Sequence, residues 1–397
     1  MNIENIIGRT NRLFSDDLEK NRSEVNERIA GKRILVYGGA GSIGRQVVRQ
    51  CFAQSPAALH VIDLSENNLV EVVRDIRSSL GYIEGETQFL PLAMNGPEAK
   101  AFLEEQRPYD LVFNLAAMKH VRSEKDAFSL MRMIATNVLD VRDTLARAAE
   151  GGSGKYFAVS TDKAKNPANL MGATKRIMED FLFSDVADVP VSTARFANVA
   201  FSDGSLLHGF TQRLVHRQPL SAPRDVRRYF VTGEESGMLC LAAATLGAHR
   251  EIFFPALDAD THLIDFAEIA RRYLRASGYE PVEMATEEEA RRKVEECARR
   301  GEWPCYFFDS DTTGEKPFEE FYGPGDDVDW ERFETIGVIR QPALDLEARQ
   351  RADAFAARVE ALRDAGRWTR AELVDAIRVA CPELHHVETG TFLDGKM

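Results

Sequence analysis

The chain has 397 residues, 44% apolar and 28% charged, with a formal net charge of −13. That length exceeds one compact core, so one large domain with a smaller satellite, or two domains, is expected. The acidic balance argues against a protein that coats nucleic acid or an anionic membrane, although local amides and a few Arg or Lys can still hold a phosphate.

The five cysteines, Cys51, Cys240, Cys297, Cys305 and Cys381, are scattered without C-x-x-C spacing. That pattern speaks against zinc or another metal and against a disulfide framework. No charged start followed by a long apolar run opens the chain, and the most apolar stretch, Met238–Ala248, is too short to cross a bilayer. The expectation is a cytoplasmic protein without a membrane span.

Residues 1–30 read as a helical extension with an apolar stripe of Ile6, Ile7, Leu13, Phe14 and Leu18, suited to docking on the main body or a sister subunit. An α/β rhythm follows. Short apolar runs stand at Arg33–Tyr37, Leu59–Ile62, Phe89–Leu92, Leu111–Phe113, Tyr156–Val159 and Val191–Ala194, with a later one at Ile252–Phe254. Helical patterns separate them, which means parallel βαβ units. The fold class is therefore α/β, a Rossmann-type doubly wound parallel sheet with a smaller C-terminal substrate lobe and helical extensions at both ends.

Residues 31–200, with 228–255 returning, make the dinucleotide-binding domain. Residues 201–227, less regular, and 256–340 make the substrate lobe. Within the latter, 284–302 read as a charged, solvated helical insertion. Residues 341–397 are a helical extension, with Thr369 and Glu372 spaced as a capping box and Pro382 as a stop.

The first strand runs into Gly38-Gly39-Ala40-Gly41-Ser42-Ile43-Gly44 and then a helix. Gly38, Gly41 and Gly44 remove side chains where backbone approaches a pyrophosphate, and the N–H groups of Ser42, Ile43 and Gly44 open the helix toward it. Asp63 ends the second strand. A carboxylate there accepts from both hydroxyls of an adenosine ribose and repels a 2′-phosphate, which favours NAD over NADP. Ala116 and Ala117, after the fourth strand, leave room for a flat nicotinamide ring. The fifth strand ends Thr161-Asp162-Lys163, and a helix then carries Met171 and Lys175 on one side.

These segments resemble an extended short-chain dehydrogenase/reductase, and within it the polysaccharide-biosynthesis branch of UDP-N-acetylglucosamine 4,6-dehydratases. GGAGSIG, DLSENNL, NLAAMKHV, TNV, VSTDKAKNPANLMGATK, RFANV with SDGS, RRYFVT and TGEKPFEEF carry the likeness, in that order. Met171 stands where the wider superfamily has an acid–base tyrosine, a substitution also found in some dehydratases of this branch.

The resemblance implies a reaction in which a nicotinamide takes hydride from C4 of the sugar, water leaves across C5 and C6, and hydride returns to C6. It makes Asp162 the acid at the C6 hydroxyl, Lys163 the base at C5, Thr161 a contact near O4, and Lys175 the holder of the nicotinamide ribose. A free lysine has a pKa near about 10.4, so a lysine base needs burial or a neighbouring cation such as Lys175. A plain Asp162–Lys163 salt bridge would oppose both roles. Asn198 is implied at the phosphates, Arg228 as a diphosphate clamp with Arg227 as competitor, and Lys119 at the diphosphate or sugar. The implied substrate is a nucleotide sugar, UDP-N-acetylglucosamine, and the implied assembly a homo-oligomer that uses the terminal helices as contacts.

Two departures stand out. Thr312-Thr313-Gly314-Glu315-Lys316 replaces R-P-G-E-K, and Leu92-Ala93-Met94-Asn95 lacks the Gly-Asp pair that reads adenine. The competing readings are a 5,6-dehydratase that stops after elimination, an epimerase, and a non-catalytic nicotinamide-binding regulator or scaffold. C4 epimerisation is disfavoured because it normally needs the missing tyrosine.

Overall fold

The computed structural model describes residues 2–184, 188–310, 316 and 318–386. The strands of its main sheet, numbered in chain order, are β1 (Arg33–Tyr37), β2 (Ala58–Ile62), β3 (Glu86–Leu90), β4 (Leu111–Asn114), β5 (Tyr156–Thr161), β6 (Val191–Phe196), β7 (Glu251–Pro255), β8 (Asp327–Asp329) and β9 (Ile336–Arg340). Their spatial order is β8-β9-β7-β6-β5-β4-β1-β2-β3. The seven from β3 to β7 pair in parallel. β2 and β6 are buried at every residue, because helices cover both faces of a parallel sheet and leave no polar face. This is the Rossmann-type α/β sheet expected from the sequence.

Several boundaries differ for physical reasons. β3 covers Glu86–Leu90 rather than Phe89–Leu92, since Pro91 has no N–H to extend the ladder. β5 and β6 continue past their last aliphatic residues, to Thr161 and Phe196. The sequence pattern places residues 327–340 in the substrate lobe. They include β8 and β9, which add an antiparallel edge to the main sheet through β7.

The smaller layer is a parallel three-stranded sheet of Glu280–Glu283, Glu302–Phe308 and Leu220–Pro223. Its core includes Phe210, Leu274, Trp303 and Phe307. The stretch read as irregular contains the helix Leu206–Val215, capped by Ser205. The charged helix, Glu287–Arg299, is more than a solvated insertion. It buries Ala290, Val294 and Cys297 along one side, while pairs such as Lys293–Glu289, at 2.7 Å, face outward.

The first thirty residues form three short helices, Ile3–Ile6, Ser15–Lys20 and Arg22–Glu27, not one docking helix. Ile6 and Ile7 enter the smaller core, whereas Leu13 and Phe14 enter the main one. Arg9 forms a buried two-pronged pair with Glu235. Asp17 accepts from the backbone N–H groups of Glu334 and Thr335, at 2.7 and 2.8 Å.

At the other end, Leu346–Asp364 and Arg370–Ala380 lie against Ala127–Ile134 and Leu170–Leu182. They share a core with Leu130, Ile134, Ile177 and Phe181. The Thr369–Glu372 capping box forms. Both terminal segments therefore bury apolar faces on this chain.

Candidate active site

β1 and β4 are neighbours from opposite halves of the sheet, so their carboxyl ends border the crevice where strand order reverses. Gly38 leaves β1 at φ +70°, and a Cβ there would lie 2.5 Å from the Ala116 backbone nitrogen. A Cβ on Gly44 would lie 2.1 Å from the Gly38 carbonyl oxygen. Both glycines are demanded by the fold. Gly41 is not, because its Cβ would meet only the Gly38 oxygen at an ordinary 3.5 Å. The helix Gly44–Phe52 starts at Ile43 without a side-chain cap, which leaves the positive end of its dipole for an anion.

Asp63 accepts from Ala40 N at 3.0 Å and Ser65 N at 2.9 Å, tying the glycine loop to the next crossover. Ser42 is engaged away from the loop: its hydroxyl donates to Asp203 at 2.9 Å and accepts from the Asp203 N–H at 2.9 Å. Ala116 N donates to Asn114 Oδ1 at 3.2 Å, which fixes the small Ala116–Ala117 platform beside Gly38. Asn95 bridges Asp140, at 2.9 Å, and Arg147, at 3.1 Å, and so serves the scaffold.

The fifth strand delivers Thr161, Asp162 and Lys163 to the same edge. Asp162 is only 2% exposed. Its Oδ1 accepts from Thr161 Oγ1 at 2.8 Å and from Lys163 Nζ at 2.9 Å. The salt bridge that the sequence reading set against the acid and base roles is thus present. The Lys163 side chain, 16% exposed, does not face bulk solvent. Its ammonium lies between Asp162 and Glu319, whose Oε1 is 3.9 Å away.

Met171 is buried, and its N–H donates to Glu124 Oε1 at 2.8 Å. The Lys175 ammonium donates to the Val159 carbonyl at 3.0 Å and faces Met178 Sδ at 3.5 Å. Burial lowers its pKa to about 7, against the opposing pull of Glu179. Its bonds go to β5 and its own helix rather than to Lys163.

Lys119 Nζ donates to Ser202 Oγ at 3.2 Å, and burial lowers its pKa against the opposing charge of Asp203. Asn198 lies in a two-residue strand paired with Phe230–Val231. Arg228 is buried and donates to the carbonyls of Arg227 and Lys316, at 2.8 and 2.9 Å, whereas Arg227 is exposed. Of the TTGEK departure, Thr312–Glu315 lie outside the described residues.

Three residues gain importance only in three dimensions. Asn137 accepts from Met118 N at 2.9 Å and donates to Met118 O at 2.9 Å and Thr174 Oγ1 at 3.0 Å, joining the platform to the Met171 helix. Gly172 lets that helix press on the 161–163 loop, since a Cβ would lie 2.5 Å from the Lys163 carbonyl oxygen. Glu319 faces Lys163. All three sit in motifs noted in the sequence, TNV, MGATK and TGEKPFEEF, which marked the segments without singling out these side chains. Among the described residues no cluster of His, Cys, Asp or Glu is arranged to hold a metal, and no helix is long and apolar enough to cross a membrane.

The fold resembles Pen from Bacillus thuringiensis, with a TM-score of 0.64 at 19% identity over 79% of this chain and 89% of that one. It also resembles the Bordetella bronchiseptica enzyme WbmF in complex with NAD+, with a TM-score of 0.51 at 16% identity, covering 72% and 90% of the two chains. In sequence, the chain is 29% identical over 292 residues to the capsular polysaccharide biosynthesis protein CapD of Staphylococcus aureus, 72% of this chain but 46% of that protein. It thus spans about half the length of that relative. Residues 34–305, from the first strand into the central strand of the smaller sheet, match the model of one family. With that match covering more than half of its length, the chain belongs to the family described as polysaccharide biosynthesis protein.

Proposed function

We propose that this protein is an NAD-dependent nucleotide-sugar 4,6-dehydratase that converts UDP-N-acetylglucosamine to a UDP-4-keto-6-deoxy-N-acetylhexosamine for surface polysaccharide or glycan synthesis. The observation that carries the reading is the buried Asp162–Lys163 pair at the carboxyl end of β5, held by Thr161 and shielded from solvent. The family match and the WbmF complex with NAD+ support the substrate class and the cofactor.

The residues fit a dinucleotide. Gly38, Gly41, Ser42, Ile43 and Gly44 would hold its pyrophosphate, Asp63 the adenosine ribose, Ala116 and Ala117 the nicotinamide, and Lys175 the second ribose. When bound, NAD would accept hydride from C4 and return it to C6.

The chain's own residues manage protons. One proton lies between Lys163 Nζ and Asp162 Oδ1, 2.9 Å apart. Once that proton is released, the pair is a neutral amine beside a carboxylate. Asp162 receives the O4 proton and gives it to the departing C6 hydroxyl, while Lys163 takes the C5 proton and returns a proton to C5 when hydride reaches C6. The salt bridge is the resting form of this acid–base pair. Met171 cannot move a proton, so Thr161 is the hydroxyl left to hand the O4 proton to Asp162. Arg228, Lys119 and Asn198 would engage the diphosphate.

Turnover of UDP-N-acetylglucosamine in heavy water tests this. The expected product has lost 18 mass units of water and gained a solvent deuteron at C5. A product of unchanged mass would instead mean epimerisation, and cofactor binding without turnover would mean a regulator. Lys163→Ala is expected to abolish product without weakening cofactor binding.

A further inference from the structure

Glu319 moves no proton in the proposed reaction, yet it is built into the same site. Its residue is 3% exposed. One oxygen lies 3.9 Å from Lys163 Nζ, and the other lies 3.5 Å from Lys316 Nζ without a hydrogen-bond donor among the described residues. A buried acceptor left unmade costs roughly 1–3 kcal/mol, so packing alone does not explain a carboxylate here.

Its placement is not a free rotamer choice on a loose loop. Neighbouring residues of the same strap are bonded to the catalytic loop and the strand beside it. Asn166 Nδ2 donates to Glu320 Oε2 at 2.8 Å, Lys165 Nζ donates to Asp326 Oδ1 at 2.7 Å, and Arg195 donates to the Phe321 carbonyl at 2.8 Å. Arg195 is itself locked by a buried pair with Glu179, at 3.0 and 2.7 Å. These contacts hold the strap against residues 163–166 and set Glu319 opposite Asp162 across the Lys163 ammonium.

We propose that Glu319 is a positioning residue of this site, a second carboxylate that shares the Lys163 ammonium with Asp162 and so sets the pH at which Lys163 becomes a free amine. The inference rests on the reading of Lys163 as the base. The charged groups around Glu319 are Lys163 and Asp162 from the catalytic loop, Arg228 from the two-residue strand Arg227–Arg228, and Lys316 from its own strap. Burial pushes the Glu319 carboxyl up, and Lys163 opposes that rise most.

Two measurements on the full chain separate this from the function itself. The first is the pH profile of kcat for E319Q. Removing the anion should move the acidic limb to lower pH by about one unit, with KM for the sugar nucleotide changed less than about threefold. The second needs no turnover. Reductive 13C-methylation, with the Lys163 resonance assigned by its loss in K163R, follows that amine directly by NMR. E319Q should lower its titration midpoint by a similar amount, and E319D should lower it less. If E319Q does not fold, the E319D shift in the same direction carries the test.

A kcat loss uniform in pH, with an unmoved Lys163 resonance, would overturn the role of Glu319 and leave the dehydratase standing. A moved resonance in a protein that turns over no sugar nucleotide would do the reverse.

Discussion

Lys175 donates its ammonium to the Val159 carbonyl across 3.0 Å in a fully buried setting, and burial holds its pKa near 7, far below the ordinary 10.5. The unfolded chain therefore binds a proton here that the folded chain does not between about pH 7 and 10.5. Stability linked to this group rises with pH across that window, and the full penalty is present below pH 7. Lys175→Met should raise stability by roughly 1–3 kcal/mol at pH 6 and by little at pH 10. Urea unfolding at the two pH values measures it, and an equal gain at both would refute the account. The same variant should bind the cofactor more weakly.

Gly41 and Gly44 should respond oppositely to a methyl group. Gly41→Ala finds ordinary contact distance and should change stability by less than about 1 kcal/mol, while weakening NAD binding at least about tenfold. Gly44→Ala would push into the Gly38 carbonyl and should cost about 3 kcal/mol or more. Thermal unfolding with and without NAD distinguishes the two. Normal cofactor affinity in Gly41→Ala would remove the argument that a ligand occupies that loop.

Glu179 and Arg195 are both nearly sealed from solvent, so removing one partner strands the other. Arg195→Met should cost about 3–5 kcal/mol in denaturant unfolding. It also frees the Phe321 carbonyl, so hydrogen exchange should accelerate in residues 319–326 before global unfolding. Protection unchanged there would mean that the strap is held by other contacts.

The C-terminal helices reach the site through two bonds. Arg370 Nε donates to the Glu124 carbonyl at 2.7 Å, and Glu124 Oε1 accepts from Met171 N. Trp368 Nε1 donates to the Ala127 carbonyl at 2.9 Å. Trp368→Ala should lower stability by about 2 kcal/mol. Deleting residues 343–397 should expose the apolar faces of two helices, read as dye binding and aggregation. A deletion variant as soluble and monodisperse as the full chain would contradict the packing described.

The sheet was legible because parallel strands buried on both faces are written as unbroken aliphatic runs, and glycines with a terminal Asp mark the first crossover. Thr161, Asp162, Lys163, Met171 and Lys175 were legible because each lies in a contiguous motif. Sequence could not reveal β9, whose five residues gain their meaning only by pairing with β7, nor β8, whose three pair with β9, nor that Ile6 and Phe14 enter different cores. The resemblance favours Arg228 over Arg227, but only the structure shows Arg228 buried and Arg227 exposed, since facing inward depends on what a strand packs against. Least of all could sequence place Glu319 against Lys163. That contact joins residues more than one hundred and fifty positions apart and exists because Arg195, Asn166 and Lys165 draw one strap onto one loop. Local pattern fixes which elements form and which chemistry they carry. Which charges meet is settled by long-range closure, where burial turns a distant carboxylate into a neighbour.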